Sequence, residues 1–77
     1  MFRRLVKMDA LTVGKRDLVV RYFEIRTGRG LKRYSLEIRL GPGDHIILDD
    51  DSIVNLEARA ARLMPATLYS RRLARTA

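Results

Sequence analysis

The sequence predicts an α+β fold: a four-stranded antiparallel β-meander followed by a C-terminal helix that Pro65 interrupts. All five glycines fall in three short breaks, at Gly14, residues 28–30 and residues 41–43, which cut the first fifty residues into strand-length segments. Apolar and polar residues alternate within these segments, whereas the apolar residues after Asp49 recur at helical spacing. We therefore expect one small domain over residues 1–77.

The composition argues against several classes of site. The chain has no cysteine and one histidine, which excludes disulfides, thiolate metal sites and a histidine metal cluster within a single chain. No pairing of a nucleophile with a base is evident. We expect a protein that is not an enzyme and uses no cofactor.

The chain is strongly basic. Sixteen lysines and arginines, thirteen of them arginine, oppose nine acidic residues and give a net charge of +7. Such a charge attracts nucleic acid or an acidic protein surface. No apolar run reaches the length of a membrane span, so we expect a cytoplasmic protein that does not associate with membranes.

The second and third predicted strands, residues 17–26 and 31–40, form a hairpin around the loop 28–30. Placing Thr27 opposite Leu31 sets the register on both faces. One face then pairs apolar residues: Leu18 with Leu40, Val20 with Ile38, and Tyr22 with Leu36. The other face pairs opposite charges, Arg21 with Glu37. Because the same register places apolar pairs on one face and an opposite-charge pair on the other, the sequence supports this register.

The flanking strands are predicted to extend the same apolar face. A second three-residue loop, residues 41–43, would pair Leu40 with Asp44 and place Ile46 beside Ile38 and Leu48 beside Leu36. Residues 6–13 would form the first strand and turn through residues 14–16. In that register the apolar face gains Val6, Met8 and Ala10.

The remainder of the chain is predicted to be helical. Residues 49–52, three aspartates and a serine, suit a helix N-cap better than a metal site. The apolar stripe consists of Ile53, Leu56, Ala60, Leu63 and Met64. Pro65 has no N–H to donate, so we expect the helix to kink or restart there. A second apolar edge would then consist of Leu68, Tyr69 and Leu73.

The second face of the sheet is the first candidate site. Apolar residues, Val19, Phe23, Ile25, Leu31 and Ile47, alternate there with Arg21, Arg33 and Arg39, and Lys7 is a further candidate. Aromatic rings among guanidinium groups suit single-stranded nucleic acid, because bases stack while cations hold phosphates. The alternative is that these apolar residues pack against a second subunit or the helix.

The helix supplies the second candidate site. Arg71, Arg72 and Arg75 follow one another near its end and could bind phosphates or an acidic partner, although a solvated face is the ordinary explanation of such residues. The basic residues of the turns have the same ordinary explanation. His45 is expected to be exposed and has no orienting partner for catalysis.

The order of four strands and a helix resembles, in architecture alone, the small positive-cofactor and Whirly-like single-stranded-DNA-binding units, whose helices mediate dimerisation. Our leading hypothesis is sequence-tolerant binding of single-stranded DNA or RNA by a homodimer. The alternative is a structural or regulatory protein–protein interaction module whose basic surface meets an acidic partner.

Overall fold

The computed structural model describes the backbone of residues 2–76 and the side chains of residues 3–72. Four antiparallel strands form one sheet in the order β1-β2-β3-β4, and a single helix follows, which confirms the predicted fold. The elements are β1 (Phe2–Val13), β2 (Arg16–Arg26), β3 (Lys32–Gly41), β4 (Asp44–Asp50) and α1 (Ile53–Thr76). The molecule is elongated, about 45 × 21 × 16 Å.

The central hairpin has the predicted register. Val20 pairs with Ile38 and Tyr22 with Leu36, and the Thr27 amide donates to the Leu31 carbonyl at 3.1 Å. The face that carries these apolar residues packs under α1, and we refer to it as the helix-side face. The opposite face, which carries Arg21, Phe23, Glu37 and Ile47, is the open face.

The predicted register of the β3–β4 hairpin is confirmed in the middle of the strands and is wrong at the turn. Ile38 pairs with Ile46, as expected, but Asp44 pairs with Gly41 rather than Leu40, and a register shift lies between Arg39 and Gly41. The turn therefore has two central residues, Pro42 and Gly43. A proline followed by a glycine at φ +73° is the residue pattern of a type II turn, and that pattern favours the shorter connection.

The first hairpin also differs from its prediction. Val13 pairs with Arg16, so Gly14 and Lys15 alone form the turn instead of residues 14–16. Gly14 has a φ of +63°, and a glycine in this conformation at the first central position suits a two-residue hairpin turn.

This shorter turn reverses the predicted faces of β1. Because side chains alternate between faces, a register shift of one residue moves every side chain to the other side. Met8 and Ala10 pair with Arg21 and Val19 on the open face and were wrongly predicted on the apolar face. A further register shift between Leu5 and Lys7 leaves Val6 as an extra, exposed residue.

The core lies between the helix-side face and α1. Its fully buried side chains are Leu36, Ile38, Leu56, Met64 and Val20. Around them lie further buried residues, Leu18, Tyr22, Leu40 and Ala60. On α1 the stripe continues through Leu68, whereas Leu63, which was predicted in the stripe, is exposed.

Ser52 begins the helix. Its Oγ accepts a hydrogen bond from the Asn55 amide at 3.3 Å, which is the geometry of an N-cap. Asp49 and Asp50 belong to β4, not to the cap itself. The Asp50 carboxylate accepts from the Ser52 amide and from the Asn55 side chain, both at 3.2 Å, and so ties the strand to the helix.

Pro65 lies inside α1, and the helix does not restart there. Proline deprives the carbonyl four residues earlier, that of Ala61, of its usual donor. Both Pro65 and Ala61 are exposed, so water can satisfy that carbonyl, while the buried Met64 holds the helix against the sheet. The proline is tolerated because it faces solvent.

Glu24 is a buried charge that sequence reasoning did not identify. It follows Tyr22 on the helix-side face and is 3% exposed. Its carboxylate lies 2.7 Å from Arg4, 3.4 Å from Lys32 and 3.9 Å from Arg26. Burial alone would raise the pKa of Glu24, but Arg4 and Lys32 outweigh burial and lower this pKa below its ordinary value.

Ile38→Ala is expected to lower the free energy of unfolding by about 2–4 kcal/mol, because a wholly buried side chain is removed from the middle of the sheet. Arg33→Ala, on the same strand but exposed, is the control and should change it by less than about 0.5 kcal/mol. Urea-induced unfolding measures both, and equal effects would contradict the assignment of faces.

Glu24 is expected to make stability depend on pH. Its folded pKa is lowered from the ordinary 4.5, so its stabilising effect is present above that value and is lost as the pH falls through the folded pKa. Glu24→Gln should flatten the fall of the urea midpoint in this acidic range. Glu57→Gln, at an exposed carboxylate, is the control. If the urea midpoint fell with pH in the same way for the Glu24 variant and the unaltered protein, the assignment of this pH dependence to Glu24 would be refuted.

Candidate polyanion-binding surface

The four sheet residues predicted to bind nucleic acid all lie on the open face, but they are not together. Arg33 pairs with Ile25 near the loop between β2 and β3, whereas Arg39 pairs with His45 near the opposite end of β3. Both side chains are exposed, and neither has an ion pair with any side chain that the structure describes. Two separate regions of the open face therefore carry uncompensated charge.

The ring of Phe23 is already occupied. The Arg3 guanidinium lies over it, 3.8 Å from the ring centroid. Arg3 also donates to Glu37 at 3.3 Å, so this cation is held at two points. A base could stack on Phe23 only if Arg3 moved. Sequence reasoning missed Arg3 because the first strand was predicted to begin at residue 6, whereas β1 begins at Phe2.

The positive charge in the middle of the open face is partly neutralised by one carboxylate. Glu37 is central there, its side chain is only 17% exposed, and it lies 3.8 Å from Arg21. His45 Nδ1 lies 3.9 Å from the same carboxylate. Arg21 is thus in part neutralised by the residue predicted to lie opposite it, and this carboxylate would repel a phosphate placed at the centre.

Basic side chains converge instead at the end of the sheet that carries the turns of β1–β2 and β3–β4. A depression of about 270 Å³ on the open face is lined by three arginines, Arg16, Arg21 and Arg39, and by two carboxylates, Asp17 and Glu37. Val19 contributes an apolar wall. The arginines outnumber the carboxylates, and Asp17 accepts a hydrogen bond from the Thr12 hydroxyl at 2.7 Å.

Arg16 joins this depression to the helix. Its guanidinium donates to the Leu40 carbonyl at 2.6 Å, which anchors the side chain across the end of the sheet. The same side chain lines a second cleft, of about 280 Å³, together with Arg71, Arg72 and Leu68. We name the combined region the turn-end basic surface; it consists of Arg16, Arg21, Arg39, Arg71 and Arg72.

The tail residues predicted from the sequence differ in role. Arg71 Nε lies 3.0 and 3.3 Å from the two Asp44 oxygens, so it fastens the end of α1 to β4. Arg72 is exposed at the rim of the cleft. Arg75, together with Leu73, lies outside the described side chains. Overall, α1 has five arginines and one glutamate, which account for four of the seven net positive charges.

Lys7 was wrongly placed on the open face. It pairs with Tyr22 on the helix-side face, where its Nζ lies 5.3 Å from the Tyr22 ring centroid. Glu57 on α1 is 3.4 Å away and Asp9 is 3.6 Å away. The reason is again the register shift in β1, which exchanges the faces of residues 7–13.

The described residues meet the requirements of neither a membrane-spanning helix nor a three-ligand metal site. Residues 2–76 contain no helix that has both the length and the apolar character to cross a membrane. In the same part of the chain, no three His, Asp or Glu residues lie close enough together to hold a metal ion.

No protein-family model, curated protein or solved structure matches the chain. The architectural likeness to positive-cofactor and Whirly-like units therefore gains no support from these comparisons. What the protein binds must be argued from its own surface.

Proposed function

We propose that the protein binds single-stranded nucleic acid, with little sequence preference, at the turn-end basic surface. The observation that carries this proposal is the convergence of four further arginines, from β2, β3 and α1, around Arg16. Arginine suits phosphate recognition because its planar guanidinium presents several donors in a fixed geometry. Arg16 and Arg39 have no carboxylate partner among the described side chains, so both can engage an external anion.

The shape of the surface favours a single strand over a duplex. Both clefts are partly open to solvent, have volumes of about 270 and 280 Å³, and combine arginines with apolar walls at Val19, Leu40 and Leu68. An unpaired base can lie on an apolar wall or a guanidinium plane while its phosphate meets a cation. Reading duplex sequence requires an element inserted in a groove, whereas α1 lies along the sheet.

Little sequence preference follows from the groups available. The charges attract every phosphate equally, and apolar stacking is open to every base. Arginine donors could reach base edges, but the clefts supply few fixed acceptors apart from carboxylates that other residues engage: Asp44 by Arg71 and Glu37 by Arg3. The main discrimination should therefore be for polyanions over neutral ligands.

We further propose that the protein acts as a homodimer whose contact lies along the outer part of β1. Leu5, Val6 and Met8 are all exposed there, between 38% and 56%. This region is at the sheet edge away from β4 and does not contribute to the turn-end basic surface. A chain this small gains buried area by pairing with a copy of itself.

The second candidate function is a protein–protein interaction module for an acidic partner. The observation in its favour is the exposed Ile47 and Val19 beside the arginines of the open face. Apolar residues ringed by cations can suit a protein surface as well as a strand of nucleic acid. Binding experiments at varied salt separate the two candidates.

Arg39→Ala is expected to weaken binding of a labelled single-stranded oligonucleotide for all sequences alike. It should also flatten the dependence of log affinity on log salt by about one phosphate contact. Fluorescence anisotropy at several salt concentrations measures both quantities. The matched control is Arg33→Ala, also an exposed arginine but at the other end of β3, which should keep the slope.

Two results would count against this assignment. Equal losses of affinity in the Arg33 and Arg39 variants would indicate that the binding surface extends over the whole open face. No binding of any oligonucleotide at low salt would reject the proposed function and favour the acidic protein partner.

Light scattering at micromolar concentration is expected to give twice the 8.9 kDa mass of one chain. Met8→Asp should shift the protein toward the monomer, because a charge would be buried in the proposed contact. Val54→Asp, at an exposed apolar residue of α1, is the control and should leave the dimer intact. A monomer mass for the unaltered protein would overturn the dimer proposal.

A further inference from the structure

The second half of α1 meets the first hairpin turn at a cleft of about 240 Å³. We name it the Tyr69 cleft; its lining residues are Val13, Gly14, Pro65, Leu68, Tyr69 and Arg72. Arg72 also lines the neighbouring cleft with Arg16, so the Tyr69 cleft continues the turn-end basic surface around the end of the sheet.

Tyr69 is the exposed aromatic residue of the described side chains. It is 63% exposed, whereas Tyr22 is buried and Tyr34 and Phe23 are half-buried. Tyr69 lies in a regular helix, and Arg72 follows it three residues later in the same helix. Its ring is therefore held on a rigid element with a guanidinium one turn away, on the same side of the helix.

The remaining walls suit a flat ring. Pro65, Leu68 and Val13 give the cleft apolar sides. Gly14 leaves its opening clear, since a Cβ built at this glycine would meet nothing within 4 Å. A planar, uncharged group can thus enter edge-on and lie against the tyrosine.

The charges around the cleft fit a ring that carries a phosphate. Lys15 follows Gly14 in the turn and is exposed, and Arg16 and Arg72 lie on the adjoining surface. Of the nearby carboxylates, Asp44 is engaged by Arg71 at 3.0 Å, and Asp17 accepts a hydrogen bond from the Thr12 hydroxyl at 2.7 Å. An acidic or neutral side chain of a protein would satisfy either the apolar walls or the cations, whereas a nucleotide satisfies both.

We propose that the Tyr69 cleft holds one base of a bound single strand, stacked on the Tyr69 ring, with its phosphate at Arg72 and Lys15. This proposal rests on the proposed function and adds the residue that stacks. It also transfers that role away from Phe23, whose ring is covered by Arg3 at 3.8 Å.

Affinity measurements with two probes test the proposal. The probes are a short mixed-sequence DNA oligonucleotide and an abasic oligonucleotide of equal length, which has the same phosphates and no bases. Tyr69→Ala should weaken binding of the first by roughly 5- to 100-fold, as expected for one lost stacking contact. It should leave binding of the abasic strand within about two-fold, because the phosphate contacts remain.

Two control variants sharpen the comparison. Tyr69→Phe keeps the ring and should keep the affinity for the base-bearing strand. Phe23→Leu removes the covered ring and should also keep it. Tyr69 is exposed, so its substitution should leave the thermal unfolding midpoint nearly unchanged, which circular dichroism verifies.

A spectroscopic measurement detects the stacking itself. The chain has no tryptophan, so Tyr69→Trp introduces a single indole into the cleft. Its fluorescence should be quenched by the base-bearing oligonucleotide and not by the abasic one. The matched probe, Phe23→Trp, should respond equally weakly to both strands.

The outcomes separate this proposal from the proposed function. If the base-bearing strand binds and Tyr69→Ala binds it equally well, the stacking site is rejected and the proposed function stands. Equal losses for both strands would show that Tyr69 does not act by stacking and would also reject the site. If neither strand binds the unaltered protein at low salt, both proposals fail.

Discussion

The packing of Leu36 and Ile38 against Leu56 and Met64 is the contact on which the other features depend. It requires the apolar residues of β2, β3 and β4 to share one face, and it requires one helix to run along them. A 24-residue helix is about 36 Å long, enough to span most of a molecule 45 Å in length. Since α1 starts beside the end of β4, its second half must reach the turn end of the sheet. The arginines of the helix therefore meet those of the strands there.

Much of this arrangement could be predicted from the sequence, and the strand residues assigned to the wrong face all lie in β1. The register of β2, β3 and β4 was readable because a single alignment places apolar residues together on one face and Arg21 opposite Glu37 on the other. For β1 the alternation is weak, and neither the two-residue turn at Gly14 nor the extra residue at Val6 leaves a clear pattern. A shift of one residue then exchanged the faces of residues 7–13.

The candidate site was predicted residue by residue but not as a surface. The alternation placed the sheet arginines on the correct face, yet their neutralisation depends on three-dimensional contacts. Glu24 forms ion pairs with Arg4, Arg26 and Lys32. Glu37 lies beside Arg3 and Arg21. These two carboxylates offset part of the positive charge in the middle of the open face and at the end of the sheet near the loop of β2 and β3. Among the described side chains, the arginines without a carboxylate partner include Arg16 and Arg39 at the turn end and Arg33 near that loop.

The exposure of Tyr69 follows from the same packing. Leu68 packs against the core, and adjacent residues of a helix point about 100° apart, so the next side chain is turned away from the sheet. This geometry holds only because α1 continues through Pro65; a restarted helix would have set the direction of Tyr69 independently of Met64 and Leu56. The ring was expected from the sequence to complete an apolar edge. Its position beside Gly14 and Arg72 instead makes it part of a cleft open to solvent, next to the arginines of the turn-end basic surface.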